Sequence, residues 1–536
     1  MSTRPAPALR ALLLLTLRRT WVGAVTVASA IVLVTATAVV GYVAAYPDPA
    51  DRLVLARSIG SNPGMSALFG ETRALETIAG FTEWRVLLVL AFLAAIWALF
   101  ASTRVLRGEE EAGRAEIVLA APLTRTGALL ATLGALSITL ALLAVVAIGG
   151  LVVTIGADVG RGPAAALGVA LVGVAAVMAA LGALTSQLAD TRRRAAGIGA
   201  AVLGAWYVIR VVADSTPDLQ ALRWATPLGW TELAAPLTDP APGPLVLPFA
   251  TALILGALTV LLVRRRDVGA GLLRGRDTAR ARLALLRSPL GLATRLARGT
   301  ALSWALGMAA FGLLIGLVAR TAAEAMAEST GGDLLGRLGI IEQGTRAYVG
   351  VSFVFITVAL ATAAAGQVAA TRDEEGSNRL ENILVRPVGR RRWLAGRLTV
   401  SVGLLVVAAS AAGTGTWIAG RVGDLEVAGS DLALAAANAL PAAVLVLGAG
   451  TLLHAIVPRR AAALTYAGVA ASFLLEIVGS AVDLPSWVLN ASVFHHVAPA
   501  PAVDPDWPAA AVLVALGAVA AGLGMHALTR RDIEAA

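Results

Sequence analysis

The chain has 536 residues, of which 58% are hydrophobic and 14% charged, with a mean hydropathy of +0.79 and a net charge of +9. A soluble core has no room for so much apolar sequence, so the composition defines a polytopic membrane protein. Lys and Cys are both absent, which excludes a G-x-x-x-x-G-K-[ST] phosphate loop, disulfides, thiolate metal sites and cysteine nucleophiles.

In chain order, Arg4, Arg10, Arg18 and Arg19 precede an apolar run from Val22 to Ala45. The run is too long for a signal-peptide core, so it is expected to be a retained first helix. Further apolar stretches near 84–103, 128–155, 164–186, 195–213, 244–263, 301–321, 348–370, 396–420, 432–455, 461–480 and 509–528 predict a total of twelve spans. Of the 43 arginines, 32 fall in alternate loops and at the two termini, which places both termini in the cytoplasm by the positive-inside bias. The same dispersal over seven short segments argues against a nucleic-acid partner. The predicted fold is therefore all-α, with twelve transmembrane helices as two parallel six-helix repeats at residues 1–266 and 287–536, joined by a basic cytoplasmic linker at 267–286.

Ahead of each half lies a stretch with Leu and Arg interleaved, Ala6–Arg19 and Arg287–Arg298. Each is expected to lie in the inner membrane interface, or else to be the flank of the following span. On the opposite side, Pro227–Trp230 and Val493–Pro501 are turn-rich stretches in which short re-entrant helices are expected, with Trp224, Trp230, Trp487 and Trp507 as interfacial anchors. The histidines His454, His495, His496 and His526 lack spaced carboxylates, and His495-His496 reads as a surface pair in preference to a ligand pair.

The strongest signal is a duplication. Residues 107–125 and 372–390 match at eight of nineteen positions at a constant offset of 265: Arg107/Arg372, Glu109/Glu374, Glu110/Glu375, Arg114/Arg379, Glu116/Glu381, Leu119/Leu384, Pro122/Pro387 and Arg125/Arg390. Both copies lie between the second and third spans of a half. Glu110–Arg114 and Glu375–Arg379 have the i, i+4 spacing that supports a helix, acids at 109–111 and 373–375 suit its N-terminus, and Pro122 and Pro387 end it. Glu116 and Glu381 are left to meet a partner. The alternative is a solvated loop helix, which has no need of identical spacing in both halves.

With its two E-E-x-x-x-R-x-E-x-x-L-x-x-P-x-x-R segments and the stretch Arg264–Leu273, RRRDVGAGLL, the chain resembles the permease subunits of type-2 ABC exporters. Within them it is similar to the fused actinobacterial permeases known as exporters of polyketide antibiotics. The resemblance implies a coupling helix in each half at Glu109, Glu110, Arg114, Glu116, Pro122 and Arg125 and at Glu374, Glu375, Arg379, Glu381, Pro387 and Arg390. It also implies two copies of a separate ATPase subunit, which carry the ATP and Mg²⁺, so that this chain has no cofactor of its own and is not an enzyme. The cargo implied is an amphipathic small molecule of antibiotic or drug type, moved out across the bacterial cytoplasmic membrane. Gly113 against Asn378 and Glu111 against Gly376 are departures between the copies, and imply unequal grips on the two ATPases.

By the same resemblance, spans two, five, eight and eleven line a pathway, where Trp97, Phe100, Trp206, Tyr207, Arg210, Phe353, Phe355, Phe473 and Glu476 are the large or polar residues at suitable depth. Arg210 falls opposite Leu475, next to Glu476, so the two charges are expected either to pair as a gate across the seam between the halves or to snorkel to the interface. The scarcity of central carboxylates disfavours the alternative of a proton-driven carrier. The outer segments, of about 30 to 40 residues, are too small for the folded domain expected of a signalling or scaffold protein.

Overall fold

In a computed structural model, residues 5–60, 70–121, 123–215, 217–265, 271–273, 285–286, 288–327, 344–376, 379–422, 427–481 and 485–532 are described. They are helical with no strand among them, and they form two compact units, Met1–Ala279 and Arg280–Ala536.

Among the described residues, eleven helices are long and apolar enough to cross a membrane. In the first unit these are Pro7–Ala45, Ile78–Glu111, Arg125–Thr154, Arg161–Leu188, Arg192–Asp214 and Pro242–Val263. In the second they are Pro289–Leu317, Thr345–Gly376, Arg390–Arg421, Gly429–Ile456 and Trp507–Arg530. The stretch expected as the eleventh span lies in the helix Ala461–Ala481, whose apolar part, Ala461–Glu476, is shorter. Helix starts follow from side-chain caps: Thr77 accepts from the Gly80 amide, Thr124 from Gly127 and Asp506 from Ala509, each satisfying a donor with no partner inside the helix.

Water does not drive helix association in a bilayer, so the packing rests on close approach of small residues. In the first unit the fourth span is central, with 83% of its apolar window buried against 17% for the sixth. Its Leu167, Leu171, Ala175 and Met178 join Ala91, Ala94, Ala95 and Ala98 of the second span in one core. A Cβ at Gly182 would lie 2.1 Å from Ser102 Oγ and 3.1 Å from the Leu99 carbonyl. In the second unit a Cβ at Gly448 would lie 2.0 Å from the Gly517 carbonyl, so the tenth and twelfth spans meet backbone to backbone.

The amphipathic stretches are not separate interfacial helices. Pro5–Ala45 is one continuous helix of 41 residues, and Pro289–Ala327 one of 39; Arg287 lies outside the described residues. At 1.5 Å per residue the first is about 60 Å long, twice the ~30 Å apolar layer, so its leading turns extend past the membrane beside the duplicated segment. On the far side, the turn-rich region of the first unit holds a 3-10 helix, Pro217–Ala225, followed by Pro227–Leu233, which Thr226 caps. In the second unit the corresponding pieces are Ser486–Leu489 and the single 3-10 turn Phe494–His496.

Gly182→Leu should therefore force the second and fourth spans apart, lowering stability by about 1–3 kcal/mol, whereas Gly149→Ala, whose Cβ meets nothing within 4 Å, should be neutral. Thermal unfolding in detergent followed by size-exclusion chromatography measures both.

Candidate functional site

The first copy of the duplicated segment is not one helix. Arg107–Glu111 and Arg114–Leu119 are separate pieces, broken at Gly113, whose φ of +72° is a conformation that suits glycine. The expected Glu110–Arg114 pair does not form, because the break rotates Arg114 onto the neighbouring acid. Arg114 forks Glu109 with Nε and Nη2 at 2.8 Å each, the bidentate arrangement that makes such pairs strong. Glu109 also takes Arg19 of the long first helix at 2.5 Å. Glu110 is held at 2.6 Å by Arg107, which is 1% exposed and whose Nε donates to the Asp190 carbonyl at 2.9 Å. Glu111 accepts the Arg192 amide at 2.8 Å. The segment is thus fastened to the first span and to the loop after the fourth. Pro122 lies outside the described residues.

The second copy has different surroundings. Thr345–Gly376 runs unbroken through Glu374 and Glu375, which are 5% and 0% exposed, and Arg379–Leu384 follows. Glu374 accepts from Trp393 Nε1 and pairs with Arg397, both at 3.2 Å. Glu375 receives Arg531 on both oxygens at 2.8 Å, and His454 Nε2 lies 3.1 Å from it. Arg379 reaches Asp373 at 3.4 Å, so the expected pairing with Glu375 is absent here too. Arg390 donates to the Leu528 carbonyl at 3.2 Å and the Arg531 carbonyl at 2.5 Å. Pro387 is exposed just past the helix end, and Asn378 lies outside the described residues.

These contacts divide the duplicated residues. Glu374 and Glu375 are structural anchors, and Glu109 and Glu110 are half-buried ones. Glu116 and Glu381 are both exposed, beside Ile117 at 74% and Val385 at 87% exposure. An acid next to a bare aliphatic side chain in both copies is the part of the element open to another surface.

At the far end of the first unit, Arg210 is 2% exposed and buried in an ionic network. Its Nε lies 2.7 Å from Asp214 and 3.2 Å from Glu232. Asp214 in turn meets Arg223 at 2.6 Å, and Arg223 meets Glu71 at 2.7 Å. Arg73 closes the circuit with Glu71 at 2.9 Å and the Glu232 carbonyl at 3.0 Å. Burial pushes the Glu71 carboxyl up, but hydrogen bonds from Arg73 and Arg223 outweigh it and hold the group below the usual carboxylate range. Glu476 is half-buried beside Ser492 at 3.3 Å and His495 at 3.6 Å. Each charge thus finds partners inside its own unit, and burial replaces snorkelling for Arg210. Hydropathy does not single out Asp214, Arg223 and Glu232; the i, i+4 spacing of Arg210 and Asp214, and an acid in the apolar Pro227–Leu233 stretch, are the signals the sequence holds for Asp214 and Glu232.

The aromatic residues expected along the pathway have these surroundings within their own units. Trp97 packs against Gly23, and Trp206 and Tyr207 against the first core, with Tyr207 edge-on to Phe92 at 5.4 Å. Phe353 is buried, Phe355 meets Phe473 edge-on at 6.0 Å, and Phe100 is 46% exposed on the surface of its helix.

Two helical units whose long apolar helices are able to cross a bilayer define a multi-pass membrane protein. The family model described as the C-terminal domain of the multidrug efflux system permease Rv1217c matches residues 24–264 and 286–528. The multidrug efflux system permease protein Rv1217c of Mycobacterium tuberculosis (strain ATCC 25618 / H37Rv) is 30% identical over 497 residues, covering 91% of this chain and 88% of that protein. The chain belongs to this family of ABC-type efflux permeases.

Arg210→Met would leave Asp214 and Glu232 buried without their shared cation, at an expected loss of about 3–5 kcal/mol. Glu476→Gln, at a partly exposed pair, should change stability by less than about 1 kcal/mol. Thermal unfolding of the two variants side by side checks the ordering.

Proposed function

We propose that this permease moves amphipathic, drug-like small molecules out of the cell across the bacterial cytoplasmic membrane, driven by ATP hydrolysis in two copies of a separate subunit. The observation that carries the reading is the pair of matched segments, each following the second span of its half and each presenting an exposed acid, Glu116 or Glu381, beside an exposed aliphatic residue. A chain without Lys has no phosphate loop of its own, so the nucleotide and its Mg²⁺ belong to the partner. The drug-efflux assignment of the relative supports the cargo class.

ATP binding draws the two ATPase copies together, the exposed faces of the two segments follow, and the equilibrium between inward-open and outward-open states shifts. Glu116 and Glu381 make the contact. The acids behind them pass the movement on: Glu109 to the first span through Arg19, and Glu375 to the tenth and twelfth through His454 and Arg531.

Native mass spectrometry of the complex purified with its ATPase should give one permease to two ATPase chains; an active permease with no ATPase would overturn the proposal. Glu116→Arg with Glu381→Arg should abolish cargo-stimulated ATP hydrolysis while leaving insertion and thermal stability unchanged, because both residues are exposed. Unaltered stimulation would return them to the role of solvated surface charges.

A further inference from the structure

The two halves pack differently around their duplicated segments, and the difference leaves a space. In the second unit Trp393 is 3% exposed at the centre of an apolar cluster with Leu380, Ile383, Leu384, Leu394 and Leu528, and its indole N–H donates to Glu374. At the offset of 265 the wall positions become Ala115, Val118, Leu119, Leu129 and Val263, while Trp393 becomes Ala128 and Arg397 becomes Thr132. All seven of these first-unit residues line one cavity of about 110 Å³, closed on another side by Leu12, Leu15 and Thr16 of the long first helix. The same walls are present in both halves, and the indole is missing from the first, where Arg19 and Arg114 pair with Glu109 as Arg397 does with Glu374 in the second.

The volume is of the order of the ~150 Å³ cavity that admits a benzene ring. The polar edge is supplied by Arg19, Glu109, Glu110, Arg125 and Gln187, of which Glu109 is the counterpart of Glu374. The Oε1 of Glu109 carries a single donor, Arg114 Nη2, and a carboxylate oxygen has room for a second. We propose that this cavity is a binding site for a small aromatic amphiphile bearing an N–H or ammonium group, whose ring takes the place of the Trp393 indole and whose nitrogen donates to Glu109. The second unit supplies the pattern for the ligand, because there the chain provides the ring and its N–H donor from its own Trp393. The site lies within the first unit and does not depend on how, or whether, an ATPase drives the protein. A ligand seated there touches both Glu109 and the first-span helix that Arg19 ties to it, so occupancy would set how firmly the segment is held to that span.

Tryptamine, an indole with an ammonium group, is the probe. Equilibrium dialysis of radiolabelled tryptamine against the full chain in lipid nanodiscs, with empty nanodiscs as the blank, should show saturable binding at one site per chain. Ala128→Trp should weaken it by about tenfold or more, since the chain then fills its own cavity, and Glu109→Gln should weaken it several-fold while the ring still fits. Trp393→Ala opens the matching space in the second unit and should raise the stoichiometry from one to two, which keeps the proposal testable if the larger side chain at 128 prevents folding. Binding that does not saturate beyond the nanodisc blank, wild-type affinity in Ala128→Trp, or unchanged stoichiometry in Trp393→Ala would each overturn it.

Discussion

The structure depends on pairing carboxylates with arginine at the ends of apolar helices. An acid taken out of water costs more than a salt bridge returns unless its lone pairs are met with good geometry, and in a chain without Lys the planar guanidinium does this. Glu109, Asp214 and Glu71 each bind two arginines, Glu375 lies against Arg531 and Arg372, and the guanidinium of Arg210 is shared between two acids. Where these clusters sit, spans whose other contacts are apolar, many of them through Ala and Gly, are held in register. Such contacts between small residues are close but carry little directional information, so the ionic clusters fix which helix ends move together.

The two halves place their clusters at opposite ends. In the first, six charged residues brace the far end, linking the fifth span, the 3-10 helix Pro217–Ala225, the helix Pro227–Leu233 and the segment after residue 70. Its duplicated segment is half-buried and borders a cavity. In the second, the duplicated segment is buried against Trp393, Arg397, His454 and Arg531, while its far end has Glu476 with Ser492 and His495 and the half-exposed Arg346–Asp431 pair among the described residues. Sub-global opening takes place where buried contacts are fewest. The soft end of the first half is therefore the one with the duplicated segment, and that of the second half is the far one.

Hydropathy makes the spans legible, because a helix needs ~20 apolar residues to cross the lipid whatever packs beside it. The offset of 265 makes the duplicated element legible for the same reason: it is a property of the residues alone. What the pattern does not convey is surroundings. Glu109 and Glu374 are matched residues with unmatched neighbours, since Ala128 corresponds to Trp393, Thr132 to Arg397 and Ala189 to His454. In the first copy the i, i+4 pair fails because one glycine, Gly113, takes a left-handed conformation that spacing rules for a continuous helix do not contain. Depth in the span marks Arg210 in the sequence, and depth does not reveal that a helix from beyond the span folds back to bring Glu232 within 3.2 Å.

The same sequence element is consequently attached to different helices in the two halves. A displacement of the first copy acts through Arg19 on the first span and through Arg107 and Arg192 on the loop after the fourth. A displacement of the second acts through Arg397 on the ninth span, through His454 on the tenth and through Arg531 on the residues after the twelfth, which Arg390 ties back to the start of the ninth. Because the second copy is joined to three spans by buried contacts, it moves only with them, whereas the first, with half-exposed pairs, shifts against its neighbours at lower cost. Fusion of the two halves into one chain permits this inequality: each copy of the element evolves its own neighbours, which two identical subunits related by symmetry cannot do.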